Sequence, residues 1–165
     1  MPKILKKIKL KLIFIESLAA YFLVNGSQRI YVASQADQYE LLALGKWEEL
    51  ESLISGSISE IIVTKAYWTF GIFIICIVTI GVLNWKNKIS IINIILVSLI
   101  VFSFFPLGFF STGLIFKYLN YLGGIFADDY GLSFFIGGCI LSIIGITLLW
   151  LIFKQHNKRT VHNNV

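Results

Sequence analysis

Four apolar runs, at about residues 8–24, 67–84, 91–110 and 133–153, constrain this chain more than any other feature. Runs of this length belong in a membrane, where a helix of about 20 apolar residues crosses a hydrocarbon core of about 30 Å. Composition agrees: only 14% of residues are charged, against about a quarter in soluble domains, and mean hydropathy is +0.82. The first run is short and needs the stems of its flanking lysines to lengthen it. Tyr67, Trp68 and Trp85 bracket the second, and Trp150 closes the fourth beside Lys154, as an interfacial aromatic belt does. At 165 residues the expected architecture is one all-α domain, a bundle of four transmembrane helices.

The charges give that bundle a direction. Ten of the fourteen basic residues flank the runs on alternate sides: Lys3, Lys6, Lys7, Lys9 and Lys11 before the first, Lys86 and Lys88 between the second and third, and Lys154, Lys158 and Arg159 after the last. Eight of the nine acidic residues (Asp37, Glu40, Glu48, Glu49, Glu51, Glu60, Asp128 and Asp129) fall in the two other loops. The positive-inside rule then puts both termini in the cytoplasm. The net charge of +5 is a topology signal rather than a nucleic-acid footprint, because no basic surface interleaved with aromatics accompanies it. The basic start and "LIFIESLAAYFLV" also fit a secretory signal with "VNG" as its cleavage site. A carboxylate inside the apolar core and the even closure of four spans favour a retained helix.

The larger loop, about residues 26–65, is expected outside the cytoplasm. "RIYVAS" reads as a short extended piece, and "ADQYELLALGKWEELESLI" as an amphipathic helix with Tyr39, Ala43, Trp47, Leu50 and Ile54 along one side. Glu48, Glu49 and Glu51 lie toward its polar side, which suits a protein contact better than anionic headgroups. Tyr39, Trp47, Leu50 and Ile54 are the candidate partner surface, against the outer ends of the bundle or a second protein. Pro106 is expected to kink or end the third span near Phe104 or Phe105. Beyond it, Ser111 would cap a short interfacial helix over 111–122 with Leu114, Ile115, Tyr118, Leu119 and Leu122 as its apolar face, and Gly123 and Gly124 would end it. A re-entrant segment is the alternative. Asp128 or Asp129 is expected to cap the fourth span rather than hold a cation.

Most reaction classes find no residues. His156 and His162 lie in the polar tail, Cys76 and Cys139 lie apart within apolar runs, and no nucleotide-binding or metalloprotease motif occurs. No serine sits beside an intramembrane histidine or lysine that could activate it. No cofactor or metal is expected, and an enzyme has no support.

Glu16 remains, the one acid inside an apolar run. Counted inward from the basic flanks, Glu16 is five residues from Lys11, Asn93 five from Lys88, Thr79 seven from Lys86 and Thr147 seven from Lys154. Glu16, Thr79, Asn93 and Thr147 are therefore expected to share one polar layer, since an ionisable group at that depth needs partners or water. Either Glu16 bonds Asn93 or a lysine head to set helix register, or it carries a proton or cation. Gly138, Ser142 and Gly145 form a small-residue groove for another helix, holding the bundle together more readily than marking a dimer.

The leading expectation is a non-enzymatic accessory, assembly or partner-binding subunit of a membrane complex, immunity-type proteins included, with the lipid bilayer and other membrane proteins or further copies as its partners. The alternative is a small transporter or channel component using Glu16. Richness in isoleucine, phenylalanine and asparagine points to an AT-rich coding sequence and a bacterial cytoplasmic membrane. Four spans with one larger loop occur in many unrelated proteins, so overall shape does not choose among them.

Overall fold

A computed structural model describes residues 9–105 and 114–162, except the side chains at 114–117, 120 and 155–162. Every described element is an α-helix: α1 (Leu10–Ser34), α2 (Ala36–Leu44), α3 (Trp47–Leu53), α4 (Ile58–Lys86), α5 (Ile91–Ser103), α6 (Leu114–Gly124) and α7 (Tyr130–His162). Three are long and apolar enough to cross a membrane: α1, α4 and α7 through Lys154. At 1.5 Å per residue they reach about 38, 44 and 38 Å, more than a hydrocarbon core.

The third apolar run behaves differently. As α5 it covers 13 residues, or about 20 Å, and stops at Phe104. Pro106 itself lies outside the described residues, as does Ser111. Termination just ahead of a proline follows from the restricted backbone of the residue before it. So α5 alone is too short to cross. α6 follows after the proline segment, over nearly the stretch expected to be helical. It packs along α7, where a Cβ on Gly123 would collide with the Ser133 carbonyl, and Leu119 reaches the core. Tyr118 is exposed, and the side chains of Leu114 and Ile115 are not among those described.

α1 is the axis, enclosed by α4, α5 and α7. α4 runs antiparallel to it, matching Asn84 with Glu16 and Thr69 with Gln28. α7 is antiparallel too, matching Gly138 with Gly26, Gly145 with Ala19 and Ile152 with Leu12. The core joins Ile13, Ala20, Tyr21 and Val24 of α1 to Phe73, Cys76 and Ile80 of α4 and Val97 and Val101 of α5. Large apolar side chains on the outer faces, among them Ile75, Val78, Leu99, Ile143 and Ile146, stay exposed, as lipid-facing residues would.

α1 continues ten residues past Val24, and "RIYVAS" is helix rather than an extended piece. Gly26 marks no turn: a Cβ there would meet Ser142 and the Gly138 carbonyl, so the glycine lets two helix backbones touch. The expected single amphipathic helix of the loop is instead two. Gly45, at φ 69, ends α2, with Lys46 N–H bonding Leu41 O at 3.0 Å and Gly45 N–H bonding Leu42 O at 3.3 Å. This is the left-handed helix end that glycine favours. The same motif closes α4 without a glycine: Lys88 sits at φ 53 and Ile89 N–H bonds Asn84 O at 2.9 Å. Lys88→Gly is expected to add about 1 kcal/mol of stability by removing the Cβ strain, seen as a raised thermal midpoint in detergent. Asp129 caps α7, its Oδ1 accepting from Leu132 N–H at 2.6 Å.

Candidate functional site: two buried polar clusters along α1

The first cluster lies near the start of α1. Glu16 has 0% exposure, and Asn84 Nδ2 donates to its Oε2 at 3.1 Å. Glu16 Oε1, Asn84 Oδ1 and the neighbouring Ser17 Oγ are all buried without a hydrogen-bond partner among the described residues. Leu12, Ile89 and Ile152 close the cluster toward the nearby helix ends. Ile13 and Ala20 flank Glu16 at helical spacing, and Ile80 lies one turn from Asn84.

Of the four residues expected in one polar layer, the structure does not bring all together. Asn93 is fully buried, yet its Oδ1 accepts from the backbone N–H of Lys9 at 3.3 Å, about two helical turns from Glu16. Thr79 and Thr147 are exposed, and each hydroxyl donates to its own helix, to Ile75 O at 2.8 Å and Ile143 O at 2.7 Å. They are not members of the layer. Counting depth from the lysines failed because it takes each lysine to mark the same level. Asn84, only two residues from Lys86, lies level with Glu16, and Thr79 lies more than a turn deeper along α4.

The second cluster lies in the far half of α1. Gln28 Nε2 donates to Thr69 Oγ1 at 2.9 Å, and the threonine hydroxyl donates to Lys65 O at 2.7 Å. Arg29 is 1% exposed, with its guanidinium 5.4 Å from the Phe134 ring and Nη1 facing the glycine surface at Gly137. Asn25 is also fully buried. A cleft of about 480 Å³ opens beside Gln28, Lys65, Thr69, Phe70 and Phe105. Sequence reasoning missed this cluster, since polar residues after Val24 read as a loop. The available signal was the spacing Tyr21, Asn25, Gln28 and Val32, which carries the buried stripe of α1 onward without a break.

The candidate partner surface splits. Tyr39 and Leu50 are buried, and Tyr39 Oη donates to Ile61 O at 3.1 Å. Burial, with the nearby Tyr31 adding to it, holds the Tyr39 hydroxyl protonated to well above the usual tyrosine range. Ile54 is half-buried, while Trp47 is 52% exposed, and Leu44 at the end of α2 and Leu53 at the end of α3 are exposed as well. Glu48, Glu49 and Glu51 stand in solvent, Glu49 paired to Lys46 at 3.2 Å.

Gly138, Ser142 and Gly145 lie against α1. A Cβ on Gly138 would come within 2.7 Å of Gly26 O, and one on Gly145 within 3.0 Å of Ala19 O. Among the described residues no three His, Cys, Asp or Glu side chains cluster as metal ligands would, and Cys76 and Cys139 are free thiols. No family model, curated protein or solved structure matches the chain.

Proposed function

We propose that the chain is a non-enzymatic membrane subunit that acts by binding a second membrane protein through the α2–α3 cap. The observation that carries this reading is that three large apolar side chains of α2 and α3, Leu44, Trp47 and Leu53, stand exposed on a cap outside the long apolar helices that also carries the exposed carboxylates Glu48, Glu49 and Glu51. Anionic lipid headgroups would be repelled by those carboxylates. The matching partner is a protein with a basic surface around an apolar cleft, since a large aromatic in a polar rim is the usual anchor of a protein interface. The cap faces outward in this reading, both termini are cytoplasmic, and α5 with α6 makes a fourth, interrupted crossing. Described basic residues Lys9, Lys11, Lys86, Lys88 and Lys154 gather at one end of the bundle, and the acidic loops at the other, in support of that orientation. The composition favours a bacterial cytoplasmic membrane.

A photo-crosslinking residue in place of Trp47, used in cells, should yield one discrete protein adduct. The same residue at lipid-facing Val78 should yield none, and Leu44→Ser with Leu53→Ser should abolish the adduct. Lipid adducts alone at position 47, from a protein that extracts as a monomer, would sink the reading.

One observation favours a second reading, a small transporter or channel component working through Glu16. Its carboxyl is fully buried between α1 and α4 with one oxygen unpartnered, and intramembrane carboxyls of this kind often mark ion or proton paths. Reconstituted Glu16→Gln protein would then lose pH-dependent flux; unchanged flux would rule the reading out.

A further inference from the structure

We propose that Glu16 and Asn84 form a buried binding site for a single proton, in which the neutral carboxylic acid and the carboxamide pair reciprocally. The proton site rests on the geometry of this pair, and draws on the Glu16 reading above only where transport is concerned.

One hydrogen bond joins the two groups, Asn84 Nδ2 to Glu16 Oε2 at 3.1 Å. Each group keeps one further oxygen, Glu16 Oε1 and Asn84 Oδ1, and both are buried without a partner among the described residues. An ionised carboxylate can only accept, so it answers neither itself nor the amide carbonyl. A proton on Oε1 turns that atom into a donor, and Asn84 Oδ1 is the acceptor across from it when acid and amide lie side by side. One proton thus satisfies two orphaned oxygens, and no charge is left in the apolar interior.

Among the described residues no cationic side chain touches the carboxyl to hold it as the anion. Lys9, the N-cap of α1, and Lys11 in its first turn are both exposed, and Lys9 acts on Glu16 only through space. α4 offers Asn84 at this level, and its Lys86 is exposed at the helix end. α5 carries no titratable side chain. On α7 the described titratable groups are Tyr130 at the far end, Cys139 and Lys154, and Lys154 Nζ lies 4.5 Å from the Trp150 ring centroid. No ion pair to Glu16 occurs among the described residues. A metal cation would demand a shell of oxygens, and beyond this pair the described neighbours add the hydroxyl of Ser17. Leu12, one turn before Glu16, packs with Ile89 and Ile152 as a buried apolar cluster toward the near end. Loss of the proton would set Oε1 against Oδ1 as two facing acceptors, so proton occupancy is coupled to the contact between α1 and α4.

Infrared difference spectroscopy of the full chain in lipid nanodiscs tests this, with the proton as probe: a pH jump and exchange into deuterium oxide. The wild type should show a protonated-carboxyl carbonyl band at neutral pH. Glu16→Gln should lack it yet remain folded, because glutamine can donate to Asn84 Oδ1 as the neutral acid does. Asn84→Leu should shift the band. A wild type without the band at neutral pH overturns the proposal, as does an unshifted band in Asn84→Leu or an unfolded Glu16→Gln protein. Saturable loss of the band on adding sodium or calcium chloride would make it a metal-ion site and overturn it equally. The band with no pH-dependent flux would retire the transport reading alone.

Discussion

Gly138→Leu is expected to abolish most folded protein. A Cβ at that position would lie 2.7 Å from Gly26 O, a backbone atom that no rotamer change can move, and 2.8 Å from Ile30 Cγ1. The remaining side-chain atoms have no space, so α1 and α7 must part along a contact where each supplies small residues to the other. Overpacking a tight core costs about 1–3 kcal/mol, and the upper end applies where the obstruction is backbone. The readout is the monodisperse fraction on size exclusion in mild detergent, with the thermal midpoint of what survives. Gly71→Ala is the control: nothing lies within 4 Å of a Cβ there, and alanine suits a helix better than glycine. Wild-type behaviour of Gly138→Leu would mean the two helices are not in contact at this level.

Asn84→Leu should have the next largest effect. It removes the one hydrogen bond that the described residues give to a carboxyl with 0% exposure, and leaves Glu16 buried without that partner. Orphaning a buried polar group costs about 1–3 kcal/mol. The double change Glu16→Met with Asn84→Leu should recover most of that loss, because removing both polar partners of a buried pair is close to neutral. Thermal unfolding of the three proteins in one detergent makes the comparison. If the double variant is no better than Asn84→Leu alone, then the leucine acts by its shape and the polar pair is not what holds α1 to α4.

Hydropathy locates the long helices of this chain but not their ends. The second and fourth runs are helices α4 and α7, close to where the apolar residues place them, each reaching further at both ends. Hydropathy marks only the apolar middle of a helix whose polar ends go on beyond it. The first run stops ten residues short of the end of α1 for the same reason. Asn25, Gln28 and Arg29 look like a loop in a residue-by-residue sum, yet all three point into the bundle. The α2–α3 stripe was legible as an apolar face, but Gly45 broke it, so Tyr39 and Leu50 became buried while Trp47 remained outside.

By itself the sequence determined that long apolar helices dominate, that basic residues border them on one side and acidic residues on the other, and that Glu16 needs a partner. It could do so because transfer free energy and net charge add along a chain without reference to neighbours. Only the tertiary structure decided that the partner is Asn84, that Thr79 and Thr147 turn outward, and that α1 rather than α4 is the enclosed helix. Those outcomes depend on how each helix is rotated about its axis and offset along it. Close packing of Gly26, Gly138 and Gly145 sets both, and no single helix carries that information.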